Sequence, residues 1–159
     1  MELQLSANLG VLNDLIDVNG QRIWSYQGLL AGTDDKRRDE QLNLIVEEVV
    51  IQGQRLQEEL ELEYVDLAQD LPVKGATSGT VLHAWDLVMS LFADERSKSI
   101  RELLGKGERA FITAYRHAGA HPALVPPVNR LIQRQARELS LFYSRYKRFY
   151  QSCRLIWRR

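Results

Sequence analysis

The sequence predicts an all-α fold built from four long helices. Through most of its 159 residues, apolar residues recur every three or four positions, which is the period of an amphipathic helix. No stretch alternates apolar and polar residues over several positions, as a half-buried strand does. The length, with 45% apolar and 26% charged residues, is typical of one globular domain, so we expect a single domain over 1–159.

The first half of the chain predicts two long helices. Ser6-Ala7-Asn8 offers capping side chains for a helix over about 8–31. Its apolar positions at helical spacing are Leu12, Leu15, Ile16, Ile23, Tyr26 and Leu30. Thr33-Asp34-Asp35 is a second capping signal and predicts a helix over about 34–69. Its apolar positions are Leu42, Ile45, Val46, Val49, Leu56, Leu60 and Leu67.

A long connection follows the second helix. Leu71-Pro72 interrupts the helical pattern, and Gly75–Gly79 contains only small residues and threonine or serine, as a flexible link does. The spacing of Leu82, Trp85, Met89 and Phe92 then predicts a short helix over about 79–92.

Two further long helices complete the chain. Asp94 caps a helix predicted over about 95–118, and Gly119 closes it. Pro126-Pro127 stands at the first turn of a helix predicted over about 126–156. A short loop joins antiparallel neighbours, whereas the long central connection can cross the length of a bundle. The prediction is therefore a ferritin-like four-helix bundle, with the short helix in the crossover between the second and third long helices.

The zero net charge conceals a strong asymmetry along the chain. The first 70 residues contain fifteen acidic and five basic residues, whereas the last thirty contain nine basic residues and one acidic residue. Segments of opposite charge attract when they pack together, which is the simpler interpretation. A basic C-terminal segment can also hold an anionic partner.

A ferritin-like bundle raises the question of a di-iron centre. Such a centre uses Glu-x-x-His pairs, and no glutamate here has a histidine three residues later. Only a carboxylate site remains, with Glu47, Glu48 and Glu108 as weak candidate ligands. We therefore expect no metal and no cofactor. His117 and His121 share a helical spacing, but Gly119 and Pro122 predict that both lie in a loop.

The last helix mixes aromatic and basic residues. The basic and aromatic residues that form a candidate partner or anion surface are Arg145, Lys147, Arg148, Arg154, Trp157, Arg158 and Arg159. Aromatic residues among basic ones occur in single-stranded nucleic-acid binding and in helices on anionic membranes. Phe142, Tyr146 and Cys153 nevertheless follow core spacing, so a buried stripe with a solvated basic face is the favoured interpretation.

Two amides fall on otherwise apolar stripes. Asn19 lies between Ile16 and Ile23, and Gln135 lies between Leu131 and Leu139. A buried amide needs a hydrogen-bond partner, since leaving it without one costs a few kcal/mol. We expect both to lock helix register rather than to bind a ligand.

Several short motifs occur in a distinctive order and spacing: Leu12–Ile16, Gly75–Gly79, His83 with Trp85, Gly107-Glu108, Ala114–Arg116, Pro126-Pro127 and Arg134-Gln135. In these motifs the chain resembles a bacterial family of ferritin-like four-helix-bundle proteins of unknown function. The resemblance covers nearly the whole chain and implies the bundle fold and a loose link to stress physiology. It implies no catalytic residues.

These observations predict a non-enzymatic bundle that acts through contacts with a protein partner or through self-association. A carboxylate-bridged iron oxidoreductase or iron-binding protein is the first alternative, and a binder of nucleic acid or membrane through the basic helix is the second. Nucleic acid and membrane are the less expected partners, and no small-molecule substrate is indicated. The N-terminus lacks the basic and apolar regions of a secretory signal, so we expect a cytoplasmic protein.

Overall fold

The computed structural model describes the backbone of residues 2–32, 40–69 and 100–156, and the side chains of 2–28, 40–69, 102 and 104–148. The described residues form four α-helices and no strand. The helices are α1 (Glu2–Gly32), α2 (Glu40–Ala68), α3 (Ile100–Gly119) and α4 (Pro126–Ile156). The all-α prediction is confirmed for this part of the chain. The short helix predicted over 79–92 lies outside the described residues.

The chain divides into two compact units, Met1–Ser78 and Gly79–Arg159. In the first unit, α1 packs against α2, and in the second α3 packs against α4. Both pairs are antiparallel, because contacts that move forward along one helix move backward along the other. Gly20 approaches Gln57 whereas Arg22 bonds to Gln52, and Gly119 approaches Gln133 whereas Tyr115 bonds to Gln135.

The predicted apolar stripes form the cores of both units. Six of the seven apolar positions predicted for α2 are buried, and Leu67 is half-buried. In α1, Leu12, Leu15, Ile23 and Tyr26 are buried, as predicted, whereas Ile16 is half-buried. In the second unit the buried apolar positions at helical spacing include Leu104, Phe111, Ala114, Tyr115, Val128, Leu131 and Leu139. Successive turns of each helix therefore place these side chains on one face, as their three- and four-residue spacing requires.

The helix ends follow the sequence signals at some places and not at others. The range predicted for α4 is confirmed, since the helix begins at Pro126 and ends at Ile156. The start predicted for α1 near Asn8 is wrong, because the helix begins at Glu2. Asn8 is buried inside the helix, where its Nδ2 donates a 2.7 Å hydrogen bond to the carbonyl oxygen of Gln4. Its side chain therefore bonds within the helix instead of capping it.

Gly53 allows the close approach of α2 to α1. A Cβ atom at this position would lie 3.0 Å from Cγ1 of Ile23 and 3.5 Å from NH1 of Arg22, and both neighbours are buried. We expect Gly53→Ala to lower the free energy of unfolding by about 1–2 kcal/mol, because overpacking outweighs the better helix propensity of alanine. Chemical denaturation followed by circular dichroism measures this.

Gly28→Ala is the matched control for that substitution. Gly28 is also helical, is exposed, and has open space where its Cβ would stand. We expect it to raise the free energy of unfolding by about 0.5–1 kcal/mol through helix propensity alone. Equal effects of the two alanines would show that packing at Gly53 is not tight.

Candidate interaction surfaces

The exposed face of α2 carries four large apolar side chains in one line. Leu44, Ile51, Leu62 and Val65 are 61%, 66%, 67% and 65% exposed. At 3.6 residues per turn, the four positions fall within an arc of about 60° around the helix. We name this line the α2 seam. A single exposed leucine is ordinary, whereas an aligned set offers apolar area that another helix can cover. The area forms two patches, Leu44 with Ile51 and Leu62 with Val65, because exposed polar residues lie between Ile51 and Leu62.

Acidic residues border the α2 seam. The exposed acidic residues within or beside the same arc are Glu40, Glu47, Glu48, Glu58 and Asp66. Between Glu40 and Ala68 the sequence has eight acidic residues and one basic residue, Arg55. Arg55 forms an i, i+4 ion pair, with its NH1 3.2 Å from Oε1 of Glu59. The α2 seam is therefore an apolar line within a negatively charged surface.

The exposed face of α4 has the opposite charge. Five exposed arginines and one exposed leucine occupy one line along the helix: Arg130, Arg134, Arg137, Leu141, Arg145 and Arg148. These positions lie within an arc of about 80° and extend over about 27 Å, at 1.5 Å per residue. We name them the arginine ladder. Leu141, which is 67% exposed, is its one apolar member.

The arginine ladder overlaps only in part with the surface predicted from the sequence. Arg145 and Arg148 belong to it, whereas Lys147 is exposed on a neighbouring face of α4. The side chains of Arg154, Trp157, Arg158 and Arg159 lie outside the described residues. The prediction missed Arg130, Arg134 and Arg137, although their four- and three-residue spacing places them on one helix face.

The aromatic residues of α4 do not lie on the arginine ladder. Phe142, Tyr143 and Tyr146 are half-buried and project from the far side of the helix. The rings of Phe142 and Tyr146 contact each other, with centroids 4.8 Å apart and planes inclined by 53°. Single-stranded nucleic-acid binding uses aromatic rings placed among the basic residues, so that bases stack while phosphates are held. Within the described part of α4 the ladder arginines lie on another side from the rings, and Lys147, four residues after Tyr143, is next to a ring on the same face.

The candidate metal ligands have different environments. Glu47 and Glu48 are exposed on α2, whereas Glu108 on α3 is 2% exposed. Among the described residues, no three His, Cys, Asp or Glu side chains come together as potential ligands of one ion. His117 lies within α3 rather than in a loop and is exposed, so that part of the prediction is wrong. His121 follows the helix, and its Nδ1 accepts a 3.2 Å hydrogen bond from the backbone N–H of Ala123.

The buried polar residues make hydrogen bonds within their own units. Gln135, predicted to lie on a buried stripe, accepts a 2.7 Å hydrogen bond from the hydroxyl of Tyr115 and so joins α4 to α3. Asn19 is buried, as predicted, and its Nδ2 donates to the carbonyl oxygen of Leu15. Arg22 is fully buried, and its NH2 donates a 3.1 Å hydrogen bond to Oε1 of Gln52 across the α1–α2 contact. The Tyr115–Gln135 and Arg22–Gln52 bonds join two helices and so fix helix register, whereas the Asn19 bond lies within α1.

A shallow groove opens on the first unit. Its volume is about 270 Å³, and it is lined by Ile16, Asp17, Gly20, Gln21, Trp24 and Gln57. Trp24 is 72% exposed at its edge. The groove offers one carboxylate and two amides beside the exposed indole of Trp24.

Comparisons with known proteins give no relative from which a role can be transferred. None of the described helices combines the length and the apolar character needed to cross a membrane. The resemblance to ferritin-like bundles stays a prediction. No family model, curated protein or solved structure matches this chain.

Proposed function

We propose that this protein is a non-enzymatic interaction protein that self-associates through the α2 seam. One observation carries the proposal: four large apolar side chains, each at least 61% exposed, share one arc of a single helix. Apolar side chains at three- and four-residue multiples are the pattern by which one helix covers another. The acidic border supports selectivity for a complementary surface.

The expected strength of this association follows from the apolar area. Burying a leucine, isoleucine or valine side chain fully contributes about 1.5–3 kcal/mol. Covering the exposed two-thirds of four such side chains contributes about 4–8 kcal/mol in total. Association costs about 4–15 kcal/mol in lost translational and rotational freedom. The α2 seam alone therefore supports only weak self-association, and contacts along its border must supply the remainder.

Replacement of two seam residues tests the proposal. We expect Ile51→Ser with Leu62→Ser to raise the dissociation constant of self-association at least about 30-fold, which corresponds to the loss of about 2 kcal/mol. Sedimentation equilibrium over a concentration series measures the constant. Circular dichroism should show unchanged helix content, because both side chains are exposed.

A second double variant controls for the loss of exposed apolar area as such. Leu3→Ser with Trp24→Ser removes two large side chains that are 89% and 72% exposed on α1, outside the α2 seam. We expect it to self-associate like the unmodified protein. If the seam variant associates as tightly as this control, the α2 seam is not the contact surface.

Three further parts of the proposal rest on the sequence and on its resemblance to ferritin-like bundles. We propose a ferritin-like order of the helices, a cytoplasmic location and a role in stress physiology. The long separation of Ala68 from Ile100 supports the first, because a ferritin-like bundle needs a long crossover between its second and third helices. The contacts within each pair, α1 with α2 and α3 with α4, also support it, because a ferritin-like bundle is built from two helical pairs.

A further inference from the structure

We propose that the arginine ladder of a second copy of this chain covers the α2 seam. The inference rests on the proposed self-association and names the surface that meets the seam. Two sets of residues on different helices carry it: the apolar and acidic residues exposed on α2, and the arginines with Leu141 exposed on α4.

Charge decides which surface of a second copy fits the α2 seam. Pairing two copies of α2 with each other would bring together two surfaces that each carry a large excess of carboxylates, and like charges repel. Between Pro126 and Arg148, α4 has six basic residues and one acidic residue. The two helix segments therefore carry net charges of opposite sign.

The α2 seam and the arginine ladder are also similar in length, and both contain apolar side chains. The α2 seam extends from Leu44 to Val65, about 32 Å along the helix, and the arginine ladder extends over about 27 Å. Leu141 gives the ladder an apolar side chain near its middle. The methylene groups of the arginines can cover the apolar side chains of the seam, while the guanidinium groups reach the bordering carboxylates.

The arrangement has a consequence for assembly. Each copy carries both surfaces, so two copies related by a two-fold axis make the contact twice, whereas an open chain of copies makes it once per copy. Because the ion pairs are exposed, they set partner choice and contribute a salt-dependent part of the affinity, while the apolar seam supplies the rest. Self-association should therefore weaken as salt concentration rises.

Charge reversal on each surface separately tests the inference. The seam-border variant is Glu47→Lys/Glu58→Lys/Asp66→Lys, and the ladder variant is Arg137→Glu/Arg145→Glu/Arg148→Glu. All six positions are exposed, so helix content by circular dichroism should not change. We expect each variant alone to self-associate at least about tenfold more weakly than the unmodified protein, because attraction becomes repulsion at three positions.

Mixing the two variants provides the decisive measurement. Each variant then presents a reversed surface that complements the reversed surface of the other, so an equimolar mixture should regain the association of the unmodified protein by sedimentation equilibrium. Glu2→Lys/Asp17→Lys/Glu102→Lys makes the same change in net charge at exposed acidic residues outside α2 and should associate normally.

Three results would overturn the inference, and they differ in what they mean for the proposed function. Failure of the mixture to associate, while the unmodified protein does so, leaves self-association in place and removes the ladder as the partner surface. A monomeric unmodified protein contradicts the proposed function itself. A monomeric protein that binds a double-stranded DNA oligomer in low salt, and loses this binding in the ladder variant, assigns the ladder to nucleic acid.

Discussion

Phe111→Ala is expected to lower the free energy of unfolding by about 3–5 kcal/mol, the largest effect of any substitution considered for this protein. Phe111 is fully buried on α3, and its ring meets that of Tyr115 edge to face, with centroids 5.2 Å apart. The truncation removes apolar contacts and leaves a cavity beside the Tyr115–Gln135 hydrogen bond. Urea denaturation followed by circular dichroism measures the change.

Thr113→Ala is the control for this loss of packing. Thr113 lies two residues further along the same helix and is exposed, and its hydroxyl bonds only locally to the carbonyl oxygen of Arg109. We expect a change within about 0.5 kcal/mol. A loss below about 1 kcal/mol for Phe111→Ala would mean that Phe111 does not belong to a close-packed core.

Gln52→Leu is expected to lower the free energy of unfolding by about 2–3 kcal/mol. The substitution preserves side-chain size but removes the acceptor of the hydrogen bond from Arg22, and a buried hydrogen bond to a charged group contributes about 1.5–3 kcal/mol. Gln54→Leu, two residues away on the exposed side of α2, should change stability by less than about 0.5 kcal/mol.

The double variant Arg22→Met/Gln52→Leu shows how much of the lost stability comes from leaving Arg22 without its acceptor. Replacing both partners of a buried polar contact by apolar side chains of similar size is often neutral. We therefore expect the double variant to be more stable than Gln52→Leu alone. Arg22→Met alone completes the comparison. If the losses of stability caused by Arg22→Met and by Gln52→Leu sum to that of the double variant, Arg22 and Gln52 do not act as a pair.

The helices could be predicted from the sequence more accurately than their exact ends and their buried polar contacts. The range of α4 was predictable because Pro126-Pro127 marks a helix start and the apolar period then continues without interruption. The start of α1 was not, since Ser6-Ala7-Asn8 has the composition of a cap but is equally compatible with a helix interior. The observed bond from Asn8 to Gln4 shows which alternative the chain adopts.

Arg22 shows why the polar core was harder to predict. Arginine is among the residues least often fully buried, so its place between Asn19 and Ile23 on the apolar stripe indicated nothing by itself. Its burial depends on Gln52, thirty residues away, and on the close approach that Gly53 permits. Such a contact is a property of the packed helix pair rather than of either segment alone.

The interaction surfaces were partly visible in the sequence. The charge asymmetry and the excess of basic residues in the last helix could be counted directly. The separation of arginines from aromatic residues on α4 required the helix geometry, and so did the alignment of Leu44, Ile51 and Leu62 on the exposed side of α2. A count of residue types gives composition, whereas an interaction surface depends on direction around the helix.

Average mass as a function of protein concentration tests the central claim most directly. Light scattering or sedimentation equilibrium on the unmodified chain, at low salt, compares the measured mass with the 18.3 kDa of one chain. We predict a mass that rises above this value with concentration and falls back toward it as salt is added. A mass of one chain at every concentration would contradict self-association through the α2 seam.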